Sequence, residues 1–203
     1  IASSRDECER QLPAYPSARF DRIHRLRPGV DVADVRRSDL IRARRLVEPF
    51  LRQPSRPMIL AIARPVHKKN LVRLVEAFGS SRELSARANL VILPGLRAGV
   101  KRGEAEHREV LIDLVDAIDR HDLHGVAAWP SRHDSRQVAA MYELARRSRG
   151  VFVNPALTEP YGLTLIEAAS HGLPVVATRN GGPSDIVAEL EHGMLARYED
   201  LRS

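Results

Sequence analysis

The sequence predicts an α/β fold in which a parallel, Rossmann-like sheet carries helices on both faces. Three observations predict it. Short apolar runs alternate with segments of helical periodicity, the runs are continuous as in strands buried on both faces, and the polar, glycine-bearing segments fall in the loops that follow those runs. Strands that alternate with helices are joined by right-handed crossovers, and ligands then bind beyond the carboxyl ends of the strands.

The first 57 residues are rich in arginine and proline, and apolar residues cluster only around Leu40, Ile41, Leu46, Val47, Phe50 and Leu51. This stretch reads as a connector with one helix. At Met58 the character changes to a continuous apolar run over 58–63, the first strand, so a domain boundary is placed there. A helix over 70–78 follows, with Asn70 as its N-cap and Gly79 as its stop. Residues 90–93 form the next strand, and the stripe Val110, Leu111, Leu114, Val115 and Ile118 predicts a helix over 110–120. A strand over 126–129, a helix over 137–145 and strand 151–153 come next, then helix 163–170 and strand 175–177.

Composition narrows the function classes. The 203 residues suffice for one core and not for two independent ones. No apolar run approaches the ~18 residues of a membrane span, and the N-terminus lacks the basic and apolar regions of a signal peptide. A single cysteine, Cys8, cannot form an internal disulfide, and no Cys/His cluster has zinc-ligand spacing. A soluble protein of the reducing cytoplasm is expected. The net charge of +6 favours anionic partners without choosing among them.

Three loops carry candidate chemistry. The first, 64–70, holds Arg64, His67, Lys68 and Lys69 before a helix start. Arg64 can grip a phosphate with two hydrogen bonds and Lys69 can add a mobile point charge, although a solvated basic turn has the same composition. The second, 154–169, places Glu159 before a helix and Glu167 two turns inside it. Gly162 lets a ligand approach the backbone, and the amides of Gly162, Leu163 and Thr164 can face a phosphate. In the bland reading Glu159 only complements the helix dipole and Glu167 is an exposed helical residue; yet Glu167 is flanked by Ile166, Ala168 and Ala169, where a carboxylate needs a polar partner. The third loop, 178–185, contains Gly181-Gly182, which permits either close ligand approach or a tight turn. His67, His133 and His171 have no neighbours that suggest a Ser/His/Asp set, and His171 near a helix end suits the helix dipole.

At these residues the sequence resembles the retaining glycosyltransferases of two facing Rossmann-like domains, the GT-B fold, and within them the sucrose-phosphate synthase group. The family's Glu-x7-Glu motif is matched by Glu159 and Glu167, its Arg-x4-Lys pair by Arg64 and Lys69, and its glycine loop by Gly181-Gly182. The resemblance covers roughly residues 58–195, while Pro28-Gly29-Val30-Asp31 is similar to the interdomain connector. It implies that residues 1–57 are the end of an N-terminal domain plus connector, and that residues 58–203 are a nucleotide-sugar-binding domain truncated at its C-terminus. The chain is thus expected to be incomplete and, alone, inactive, because the acceptor domain is missing.

The resemblance also implies a reaction: glucose moves from a nucleotide sugar, UDP-glucose, to fructose 6-phosphate with retained stereochemistry, giving sucrose 6-phosphate. Arg64 and Lys69 would stabilise the departing diphosphate. Glu159 would hold the sugar hydroxyls, the amides of Gly162, Leu163 and Thr164 would lie near the phosphates, Glu167 would bind the ribose, and Tyr161 would be a further donor-binding residue. The main chain around Trp129, Ser131, Arg132 and His133 would line the base. Neither glutamate takes the covalent role of a retaining glycosidase. No cofactor or structural metal is implied, and no Asp-x-Asp motif indicates magnesium.

Departures from the family lie at Pro94-Gly95-Leu96-Arg97, in place of a more polar turn, and after Leu195, where Ala196-Arg197-Tyr198-Glu199-Asp200 replaces the usual acidic or proline-containing loop. Mannosylfructose-phosphate and other sucrose-like synthases share the motifs and leave the donor open. A basic nucleic-acid-binding module is the alternative of another class, but an aromatic content of 4% leaves few stacking platforms and no such motif occurs. A dinucleotide oxidoreductase lacks its Gly-x-Gly-x-x-Gly after the first strand.

Overall fold

The structure, a computed structural model, describes residues 2, 4–17, 19–26, 28–95 and 104–197. Six strands form one all-parallel sheet: β1 (Met58–Ile62), β2 (Asn89–Leu93), β3 (Ala127–Ala128), β4 (Val151–Asn154), β5 (Val175–Thr178) and β6 (Gly193–Ala196). Their order is β3-β2-β1-β4-β5-β6. The chain moves outward from β1 to β3, then returns to lay β4 on the other side of β1. The resulting switch point between β1 and β4 is where a doubly wound sheet opens a crevice for ligands.

Helices α1 (Arg37–Val47), α2 (Leu71–Ser80), α3 (Arg82–Arg87), α4 (Ala105–Arg120), α5 (Ser135–Arg147), α6 (Leu163–Ser170) and α7 (Pro183–Val187) cover the two faces. The pleat divides the core between them. Leu60, Val91, Leu93, Phe152 and Val175 point toward α1, α5 and α6, whereas Ala61, Leu90 and Ile92 point toward α2 and α4. Each such fully buried leucine or isoleucine contributes about 1.5–3 kcal/mol relative to its exposed state, which explains why strands β1 and β2 read as unbroken apolar runs.

Helix α1 falls within the expected connector, and its Leu40, Ala43 and Val47 are buried in the same core as β1. It packs along α5, and Arg42 donates to Asp134 at 2.9 Å. Asp134 in turn caps α5 reciprocally with Gln137, at 2.8 and 2.9 Å.

Two helix-end expectations are corrected. Asn70 has φ 55 and does not cap α2 with its side chain; that amide donates to the Pro155 carbonyl at 3.1 Å. Gly79 does not stop α2, which runs on to Ser80, because the glycine serves packing instead: a Cβ there would lie 2.4 Å from His121 Cγ at the end of α4. Helices α3 and α7 and edge strand β6 add to the elements foreseen. Residues 96–97 of the Pro94 turn and residues 198–200 lie outside the described residues. Among the described residues no helix is long and apolar enough to cross a membrane.

Candidate donor site at the sheet switch point

The loops after β1, β4 and β5 converge, and Glu159 is their meeting point. The loop after β1 turns through a short 3-10 helix, His67–Lys69, which brings the Lys68 carbonyl to the Leu157 amide at 2.9 Å and Lys69 Nζ to Glu159 Oε2 at 2.5 Å. Asn154, the last residue of β4, is buried; its Nδ2 donates to the same Glu159 oxygen at 3.2 Å and its Oδ1 accepts from the Ala156 amide at 3.2 Å. A carboxylate only 9% exposed thus has the charge partner and hydrogen bonds that such burial requires.

From the other side, the Glu159 amide donates to the Asn180 carbonyl at 3.1 Å and its carbonyl accepts from the Gly182 amide at 2.9 Å. Asn180 Nδ2 also donates to the Leu157 carbonyl at 3.1 Å, and the Thr178 hydroxyl to the Ala156 carbonyl. The paired glycines have a definite cause. A Cβ on Gly181 would stand 2.1 Å from the Glu159 carbonyl oxygen, and one on Gly182 2.2 Å from that of Tyr161. The close approach they permit is that of the 159–161 backbone.

Gly162, at φ 100, then turns the chain into α6, whose first amides have no intrahelical acceptor. Around this turn lies a cleft of about 450 Å³ lined by Arg64, Lys69, His133, Asn154, Glu159, Tyr161, Gly162, Leu163 and Thr164. The Arg64 guanidinium is exposed and has no hydrogen bond or ion pair among the described residues. His133 is half-buried, and its Nδ1 is a buried atom without a partner among the described residues. Burial lowers the imidazole pKa below its usual value, while the Asp134 charge opposes the shift.

Glu167 opens onto a second cleft, of about 360 Å³, with Asp31, Ser135, Arg136, Tyr142 and His171. Thr164 in one cleft and Glu167 in the other are a single turn apart on α6. The Tyr142 hydroxyl donates to Glu167 Oε2 at 2.9 Å, giving this carboxylate the polar partner its apolar neighbours demand.

Of the predicted site residues, Arg64, Lys69, His133, Glu159, Tyr161, Gly162, Leu163 and Thr164 come together, and Glu167 lies just beyond. The Trp129 side chain packs on the α4 side of the sheet, and Ser131 and Arg132 are exposed and do not line the cleft. Tyr161 donates its hydroxyl to the Pro28 carbonyl, 3.4 Å away, so the segment around residue 28 touches the site. Asn154 and Tyr142 were not anticipated. Asn154 carries a weak signal, a polar residue directly after an apolar strand, whereas Tyr142 sits in a helical apolar stripe and resembles any core residue.

Residues 44–200 match the family model described as Glycosyl transferases group 1. Sucrose-phosphate synthase 1 of Arabidopsis thaliana is 48% identical over 154 residues, covering 76% of this chain and 15% of that protein. The sucrose-phosphate synthase of Zea mays is 49% identical over 151 residues, 74% of this chain and 14% of that protein. The chain therefore spans about one seventh of the length of these curated relatives. Among solved structures, the sucrose-phosphate synthase of Thermosynechococcus elongatus superposes with a TM-score of 0.75 at 24% identity, covering 100% of this chain and 46% of that one. Anabaena HepE in complex with UDP and glucose gives 0.75 at 17% identity, over 100% and 52%. At these identities the solved structures speak for the shared GT-B fold. The chain belongs to the glycosyl transferases group 1 family.

Proposed function

We propose that this chain is the donor-binding part of a retaining hexosyltransferase that takes glucose from UDP-glucose and delivers it to fructose 6-phosphate, yielding sucrose 6-phosphate and UDP. The observation that carries this reading is the convergence of Arg64, Lys69 and Glu159 at the β1/β4 switch point, with Glu167 one turn further along α6. Further support comes from the curated relatives at 47–49% identity, which are sucrose-phosphate synthases, and from the UDP and glucose bound by a protein of the same fold.

In this reading the diphosphate lies over the free amides at the start of α6, where Arg64 and Lys69 offset the charge that grows as the bond between the sugar C1 and the phosphate oxygen breaks. The acceptor hydroxyl forms the new C1–O bond on the face the diphosphate leaves, and its proton passes to the departing phosphate oxygen. Glu159 accepts from the sugar hydroxyls with the oxygen that Lys69 and Asn154 leave free, and Glu167 accepts from the ribose. His133 adjoins the base. Residues 1–57 connect to an acceptor-binding domain, and residues from 58 onward form the donor domain.

Calorimetric titration with UDP, UDP-glucose, GDP and ADP tests the proposal, repeated on Arg64→Ala and Glu167→Ala. Selective UDP binding weakened in both variants is the expected outcome. A folded chain that binds no nucleotide, or binds all four equally through charge, would overturn it.

A further inference from the structure

We propose that Tyr142 is the positioning residue of Glu167: its hydroxyl pins one carboxylate oxygen so that the other faces the cleft as a fixed acceptor for a vicinal diol. The inference rests on the reading of Glu167 as the ribose-binding carboxylate and adds a residue that the site motifs do not contain.

The geometry carries it. Tyr142 is only 1% exposed, in the middle of α5, and its ring is clamped edge-on against Phe152 and face-on against His171, each with centroids 5.6 Å apart. A ring held on two sides cannot swing away, so its hydroxyl has one direction available, toward Glu167 Oε2 at 2.9 Å. Burial, followed by the charge of Glu167 and its hydrogen bond, pushes the phenol pKa far above its usual value, so the group remains a proton donor. A donor there occupies one of the acceptor sites of Oε2 and fixes the direction of the carboxylate. Glu167 Oε1 takes no hydrogen bond among the described residues, and the carboxylate borders the cleft that also holds Asp31, Ser135 and Arg136.

A glutamate side chain has three rotatable bonds, and ordering it on binding costs rotamer freedom. Here Tyr142 has already restricted that freedom before any ligand arrives, which favours binding by preorganisation. A hydroxyl that merely satisfied a buried donor would stabilise the fold without discriminating between ligands.

The test separates these roles by deleting hydroxyls from the ligand as well as from the protein. UDP and 2′,3′-dideoxyuridine 5′-diphosphate are titrated into the full chain, into Tyr142→Phe, which keeps both ring contacts, and into Glu167→Gln, which keeps an acceptor for the tyrosine. Native protein should prefer UDP by at least about tenfold, and Tyr142→Phe should lose about five- to tenfold in UDP affinity with less than a twofold change for the dideoxy analogue. Glu167→Gln should lose the same discrimination while melting near the native temperature. Equal weakening of both ligands by Tyr142→Phe, or undiminished discrimination in that variant, overturns the proposal while leaving the donor-site reading intact; undiminished discrimination in Glu167→Gln overturns the proposal together with the ribose role of Glu167. No binding of UDP by the native chain overturns both.

Discussion

Gly181 and Glu159 are packed backbone to backbone: a Cβ on Gly181, at φ 99, would stand 2.1 Å from the Glu159 carbonyl oxygen. The loop after β5 therefore sets the position of the loop after β4, and with it the carboxylate that Lys69 and Asn154 hold from the opposite side. Two distinct costs meet at this residue. A side chain is disfavoured by the left-handed backbone and excluded by the contact.

Gly181→Ala should accordingly destabilise the chain by about 2–4 kcal/mol, a melting-temperature decrease of about 5–15 °C for a chain of this size. It should also weaken UDP binding, because Glu159 moves with the loop. Gly29→Ala is the control: nothing lies within 4 Å of its Cβ position, and its melting temperature should be unchanged. A Gly181→Ala protein that melts like the native one would refute the packing argument.

The Lys69–Glu159 pair invites a double-mutant cycle. Their side chains are only 16% and 11% exposed, so removing one charge strands the other in a poorly solvated place. Lys69→Met should cost about 2–3 kcal/mol of stability, and adding Glu159→Gln should restore most of it. Urea denaturation of the four proteins measures the coupling. Additive losses would mean that the two side chains act independently.

Much of this architecture was legible in the sequence because the signals were local. Strands β1, β2, β4 and β5 were visible since both sheet faces are covered and each reads as an apolar run; α6 was bounded correctly by Gly162 and Ser170. Edge strand β6 was not: Gly193–Ala196 is a short Gly-Met-Leu-Ala stretch that is only partly buried, with Met194 65% exposed, and three apolar residues after a glycine do not by themselves mark a strand. The charged residues of the site were identified by their place after strands. Their pairing was not, since Lys69 and Glu159 are 90 positions apart and nothing local links them. The same limit hid Tyr142, whose role depends on a partner on another helix.

Arg64 separates stability from function. Its guanidinium is exposed and makes neither hydrogen bond nor ion pair among the described residues. Arg64→Ala should leave the unfolding free energy within about 0.5 kcal/mol of native, while UDP affinity falls about tenfold or more through loss of a charge-assisted contact. A variant that binds UDP with native affinity would remove Arg64 from the site.

Acid sensitivity should arise in part at Glu143 on α5, a residue that lines neither cleft. Hydrogen bonds from Arg146, at 2.8 and 2.9 Å, and from Arg147, at 2.6 Å, bring its carboxyl down to about 2 from an ordinary 4.5, with burial opposing the shift. A folded pKa below the unfolded one means that the native state holds its proton less tightly. The associated stability is therefore fully present above pH 4.5 and is lost as pH falls toward 2. Both arginines are half-exposed, and solvent screening limits the gain to about 1 kcal/mol. Glu143→Gln should cost about that much at neutral pH and flatten the dependence of unfolding free energy on pH between those limits. Because α5 also carries Tyr142, the measurement is best made by urea denaturation at stepped pH with UDP absent. A variant whose acid profile parallels the native one would show that Glu143 titrates alike in both states and that the arginine hydrogen bonds do not hold its proton off.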